Sequence, residues 1–396
     1  MAKKDKLHIL IMPSWYKSVD TPVLGTFFEE QARALQHDGH KVGIIYPEYT
    51  PPADFFVKKP GKFNDFYMDK GIPTFHIRKH KGVPKMRKLS YSQFSETANN
   101  IFQEYCSVFG KPDIIHAHSV FHAGIAALHI SKKNNIPLVI TEHLTAYLMG
   151  YINNPVDIRV SKEIFNNAEG ALIVSNNFRL DLEKSLELQQ NTFSVIHNLV
   201  ADLFFKEYKP ITYKGEETFK FFTNSFLLPR KNITAIINAL KILVDKGRNV
   251  SLRIGGEGPL SEKLQDQVNN MGLQDHIFLT GKLWRNEVKD EIDKSHAFVL
   301  ASQYETFGVV LIESLASGRP VVCTDSGGPR DFINPEQGIM VAEHTAESLA
   351  EGMEQLMNNY SFYDQEKLIK YCYDNFNEHH ISDLIQQFYY KILNKK

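Results

Sequence analysis

The strongest constraint on this chain is a rhythm. Short apolar runs of strand length alternate with segments of helical spacing through most of its 396 residues. Residues 8–12 form the first such run. A helix beginning near Thr26 then places Phe28, Ala32 and Leu35 on one face and stops near Gly39. Further runs fall at 41–46, 113–118, 137–143, 170–175 and 193–197, with a less regular stretch between the second and third. Residues 202–218 are polar, carry Pro210 and Gly215 and lack periodicity. The pattern then restarts with a strand at 220–223 and a helix lined by Ile233, Ile236, Ile237, Leu240 and Leu243. Strands at 250–254, 277–280, 296–302 and 320–325 follow. Parallel strands need a crossover, and right-handed crossovers place helices on both faces of the sheet, so this order predicts α/β architecture. The length is too great for one ordinary core, which predicts a domain over 1–201, a linker over 202–218 and a second domain over 219–376.

Composition narrows the function classes. The 43% apolar and 23% charged residues are those of a soluble globular chain, and a net charge of −1 gives no global reason to expect nucleic acid as a partner. Cys106, Cys323 and Cys372 lack metal or disulfide spacing, which fits a cytoplasmic setting. No run reaches the 18 or so apolar residues of a membrane span, and 7–12 reads as the first strand rather than a signal peptide. One stretch departs from the even charge. From Lys70 to Phe94 there is no acid, while Arg78, Lys79, Lys81, Lys85, Arg87 and Lys88 crowd together. Such a patch suits reversible contact with an anionic membrane, peripheral on its inner face, and equally suits a solvated loop.

Ligands of such sheets bind outside the carboxyl ends of the strands. The unusual residues collect there: the Gly25 loop, His116 and His118, and Glu142 with His143. Of the histidines, His118 is the candidate, and His116 and His143 are better read as structural. The loop 255–259, Gly-Gly-Glu-Gly-Pro, has the glycines of a phosphate loop without a Rossmann or Walker pattern. Near the end, strand, loop, helix and strand follow one another over 295–331. This unit holds Glu305 in its loop and Glu313 about two helical turns further on.

The order Tyr304-Glu305-Thr306-Phe307-Gly308, then Glu313, Ala316, Gly318-Arg319-Pro320-Val321-Val322 and Gly327-Gly328-Pro329 resembles the Glu-x7-Glu motif of family 4 glycosyltransferases. The resemblance implies the GT-B fold: two Rossmann-like domains facing across a cleft, with a C-terminal helix (about 377–396) crossing back to the first. It implies retaining transfer of a sugar from a nucleotide-diphosphate donor, UDP-linked, to a hydroxyl of a glycan or lipid-linked acceptor in surface polysaccharide or glycolipid assembly. No metal or other cofactor is expected, and no Asp-x-Asp is present to hold one. By the same resemblance His118, Glu305 and Lys231 are catalytic. Gly25, Gly256 and Gly258 let backbone approach the donor, Lys282 and Leu283 lie beside the nucleobase, and Thr306, Phe307, Gly308 and Val309 offer helix N-terminal amides. Glu313 accepts from the ribose hydroxyls, and neither acid is expected to be core. A GT-B epimerase or phosphorylase, or a non-catalytic GT-B subunit, would share the fold. The chain departs from the family at Phe226, which stands where relatives commonly carry an arginine, and Arg230 beside Lys231 is the candidate replacement.

Overall fold

Every residue of β1 (His8–Pro13) is buried, because a parallel strand covered by helices on both faces has no solvent side. In the computed structural model, which describes residues 6–17, 24–50, 64–80 and 87–394, β1 lies at the centre of an eight-stranded sheet. The others are β2 (Lys41–Thr50), β3 (Asn64–Asp69), β4 (Ile72–His80), β5 (Ile114–His118), β6 (Leu138–Glu142), β7 (Gly170–Ile173) and β8 (Ser194–Val195), in the order β3-β4-β2-β1-β5-β6-β7-β8. Ile9 is in register with Val42 on one side and Ile114 on the other, and Ile9, Leu10, Ile11, Ile44, Ile115 and Ile140 have no exposed surface.

Among the described residues, the hairpin β3–β4 is the only antiparallel pair in that sheet, and it fills part of the stretch that looks irregular in sequence. Lys70 and Gly71, at φ 49° and 88°, form its two-residue turn, which needs left-handed backbone at both positions. Arg78 of the basic stretch meets an acid there, and Lys79 a hydroxyl. Arg78 Nε donates to Glu48 at 2.9 Å and Lys79 Nζ to Thr97 at 3.0 Å. Lys81 and Lys85 lie outside the described residues, and Arg87 and Lys88 open the helix Arg87–Phe109.

The second sheet is wholly parallel. It comprises β9 (Phe219–Asn224), β10 (Val250–Gly255), β11 (Ile277–Gly281), β12 (Ala297–Leu300), β13 (Val321–Thr324) and β14 (Gly338–Val341), ordered β11-β10-β9-β12-β13-β14. The short edge strand β14 has no counterpart in the sequence reading, and the expected run 193–197 shrinks to the two residues of β8. No described helix is long and apolar enough to cross a membrane.

The chain divides into two compact units, Met1–Val174 with Arg179–His197 and Ile381–Lys396, and Ser175–Phe178 with Asn198–His380. The last helix, Glu378–Leu393, therefore gives most of its length to the first unit. Tyr389 on it is fully buried with its hydroxyl 2.6 Å from His116 Nδ1. Gly170 is required beneath this helix, since a Cβ there would sit 2.6 Å from Phe388 and Ile392.

Candidate active site

In the second unit, the loops after β9 and β12 bring opposite charges together. Pro229 starts a 3-10 turn, Pro229–Lys231, its fixed φ suiting a first helical position. Gln303 N–H donates to Arg230 O at 2.8 Å, tying this turn to the loop after β12. Glu305 is held from the other side: its N–H donates to Ser326 O and its carbonyl accepts from Gly328 N–H, both at 2.9 Å. Between these anchors Lys231 Nζ meets Glu305 Oε1 at 2.5 Å, with the two side chains only 13% and 11% exposed. Burial works against the Glu305 charge. Lys231, with help from Ser302 and Arg230, more than reverses that and holds the carboxyl below its usual range.

Gly308 takes a left-handed φ of 105° at the start of the helix Val309–Ala316, where it gives no side-chain cap. Gly328 packs directly beneath: a Cβ on it would lie 2.5 Å from Phe307 N. Phe307 itself is core, its ring 4.8 Å from that of Phe332, so of this residue only the main chain could meet a ligand.

The expectation that neither acid is core is corrected. Glu305 is buried, and Glu313 is only 1% exposed and forms an ion pair with Arg285. The helix is covered on most sides: Leu311, Ile312, Ser314, Leu315 and Ala316 are buried together with Glu313. Sequence reasoning missed Arg285. Its one signal was a cation at the first position of the helix Arg285–Lys294, where an acid would suit the dipole better.

The glycine loop also has a different first role from the one its composition suggests. A Cβ at Gly256 would lie 1.8 Å from Ser225 O, and one at Gly258 would lie 2.6 Å from Leu227 O. The N–H of Gly256 donates to Gly281 O at 2.8 Å and that of Gly258 to Ser261 Oγ at 3.2 Å. These glycines let the loop after β10 close onto the loop after β9, and their amides are already engaged. Lys282 Nζ lies 3.4 Å from Glu257 and 5.7 Å from the centre of the half-exposed Trp284 ring. Leu283 packs against Gly255, where a Cβ would meet it at 2.7 Å.

In the first unit, His118 ends β5 with no exposed surface. Its Nδ1 is 3.0 Å from His143 Nε2, its ring lies 4.6 Å from that of Phe28, and its buried Nε2 has no hydrogen-bond partner among the described residues. Burial keeps these rings neutral, taking His118 well below the ordinary histidine range and His143 to about 3. His116 is structural, bonded at both nitrogens by Tyr389 and Thr141 at 2.6 Å. Glu142 accepts from the N–H groups of Val120, His143 and Leu144. Next to it, Ser119 and His122 hold φ values of 69° and 68° that non-glycine residues seldom adopt. Gly25 is left-handed at φ 72°, where a Cβ would be 3.0 Å from Trp15 O and from the Phe28 ring. The structure thus gathers Arg230, Lys231, Glu305 and the 306–309 main chain at the strand ends of the second unit. His118 and Gly25 belong to the first.

Residues 24–202 match the family model described as Glycosyltransferase Family 4, and residues 204–375 match Glycosyl transferases group 1. Among curated relatives, the putative teichuronic acid biosynthesis glycosyltransferase TuaC of Bacillus subtilis is 25% identical over 357 residues, 88% of each chain. Among solved structures, sucrose-phosphate synthase of Thermosynechococcus elongatus superposes with a TM-score of 0.78 at 16% identity, over 98% of this chain and 100% of that one. The Anabaena protein HepE in complex with UDP-glucose superposes with a TM-score of 0.72 at 15% identity, over 97% and 99%. At such identities the superpositions establish the fold alone, and that fold is the two-sheet α/β architecture of GT-B glycosyltransferases. The two family matches are nearly contiguous, and the chain belongs to the family 4 glycosyltransferases.

Proposed function

We propose that this protein is a retaining glycosyltransferase that moves a sugar from a UDP-linked donor to a hydroxyl of a glycan or lipid-linked acceptor in surface polysaccharide or glycolipid assembly. The observation that carries this is the buried Lys231–Glu305 pair with Arg230 beside it. A departing diphosphate is the main electrostatic problem of the reaction. A preorganised cation in a partly dry site answers it, since opposite charges about 4 Å apart attract by roughly 4 kcal/mol at an effective dielectric of 20. The likeness to TuaC, named for teichuronic acid biosynthesis, supports the acceptor class, and the UDP-glucose bound to HepE supports the donor class.

The test is a panel of UDP-, GDP- and ADP-sugars assayed for nucleotide release and for sugar transfer. Release from one donor class is expected, and silence across the panel would refute the assignment. Activity is expected to survive EDTA, because Lys231 and Arg230 supply the positive charge. Complete loss restored by Mn2+ would show that a metal supplies it instead.

Phe226 is 41% exposed, and a phenyl ring cannot donate to phosphate. Arg230→Ala is therefore expected to cost the equivalent of one charge-assisted hydrogen bond, roughly 1.5–3 kcal/mol in kcat/KM. Introducing Phe226→Arg into that variant should recover part of the loss. Wild-type kinetics in Arg230→Ala would show that Lys231 works without it.

A further inference from the structure

Glu313 has a partner that no motif announces. Arg285, 28 residues upstream, donates from Nη1 to Glu313 Oε1. The same guanidinium lies 4.8 Å from the centre of the Phe204 ring. Phe204 is itself buried, and its carbonyl accepts from Ser317 Oγ at 3.3 Å, one turn beyond Glu313. The arginine is thus seated on a fixed ring while it grips the acid. The side chains differ in access, 26% exposed for Arg285 against 1% for Glu313, so the cation forms the outer part of the pair.

We propose that Arg285 is a positioning residue for nucleotide recognition: it fixes the Glu313 carboxylate so that the remaining acceptor positions meet the vicinal hydroxyls of the donor's ribose. This rests on the donor-site reading of Glu313. An ionised carboxylate has about four acceptor positions, and one bond from Arg285 leaves enough for a diol. A protonated carboxyl would give up acceptor capacity. Burial drives Glu313 toward that neutral form and raises its pKa above the ordinary carboxyl value, and the Arg285 charge offsets part of that rise. An arginine suits this task better than a lysine, because its planar fork can rest on an aromatic ring while donating in a fixed direction.

The experiment measures binding of UDP and of 2′,3′-dideoxy-UDP by calorimetry to the wild type, Arg285→Met, Arg285→Lys, Glu313→Gln and the Arg285→Met/Glu313→Gln double variant. Thermal melts accompany each variant, and Arg285→Lys carries the test if Arg285→Met fails to fold. Wild type is expected to prefer UDP by about tenfold. The preference should vanish in Arg285→Met, return in part in Arg285→Lys, and be no lower in the double variant than in Glu313→Gln alone. Affinity for the dideoxy compound should hold throughout. Arg285→Met that keeps the full preference, or that weakens both ligands equally, would overturn the inference and leave the donor site standing. Wild type that binds UDP without regard to its ribose hydroxyls would remove the role of Glu313. Wild type that binds none of UDP, GDP and ADP would overturn the proposed function itself.

Discussion

Lys231→Ala is expected to lower sugar transfer about 10²–10³-fold, the usual cost of deleting one preorganised group that stabilises developing charge. The same change leaves the Glu305 carboxylate buried without its counter-charge, and breaking a buried pair from one side costs about 3–5 kcal/mol of stability. These two effects are separable. Replacing both members by apolar residues of similar volume, Lys231→Met with Glu305→Leu, should restore most of the stability while leaving the enzyme inactive. Measured pH dependence supplies a second check. The folded Glu305 carboxyl is held below its unfolded value of 4.5, so the pair stabilises the protein fully above that value and the contribution is lost as pH falls through the folded one. The stability gap between wild type and Lys231→Ala should therefore narrow in acid. Transfer at the wild-type rate by Lys231→Ala at neutral pH would show that the pair is scaffold and not machinery.

A stability effect of similar size is expected at Arg319, which is wholly buried. Its Nε donates to Ile292 O at 3.3 Å and its Nη2 to Asp293 O at 2.9 Å. These two carbonyls belong to the last turn of Arg285–Lys294, where the helix dipole is negative; Ile292 O also accepts from the N–H and hydroxyl of Ser295. The same Nη2 donates to Lys209 O at 2.6 Å, and Nη1 to Gln365 Oε1 at 3.1 Å. One guanidinium thereby joins the segment after residue 202, the end of one helix and the first residue of Gln365–Phe376. Arg319→Met fills much of the space but takes the guanidinium donor from Asp293 O, Lys209 O and Gln365 Oε1, while Ile292 O keeps the N–H and hydroxyl of Ser295, for an expected loss of about 3–5 kcal/mol in chemical denaturation. Arg319→Lys keeps a charge without the fork and should lie between. A loss under about 1 kcal/mol for Arg319→Met would mean that these carbonyls find other donors.

Fold was legible in the sequence wherever the signal was local. The apolar runs that became β1, β5, β9 and β12 announce themselves because a strand covered on both faces needs an apolar residue at nearly every position. The alternation with helical spacing then leaves a parallel sheet as the economical answer. The hairpin β3–β4 was missed because its turn, Lys70-Gly71, lacks the Asn-Gly or Asp-Gly signature, and its first strand gains order by pairing rather than by burial, with Phe66 and Met68 left exposed.

Sequence by itself determined the fold class and the family and singled out the two acids as candidates, because periodicity and motif spacing are properties of neighbouring residues. Tertiary structure alone decided what each polar group is for. Glu305 finds Lys231 at a separation of 74 residues, Glu313 finds Arg285 at 28, and His116 is satisfied by Tyr389 at 273. The glycines of loop 255–258 likewise show their purpose only against the backbone of Ser225 and Leu227. Which loops meet is set by strand order, and whether a charge there is stabilised or suppressed is set by the desolvation and partners that the packed fold supplies.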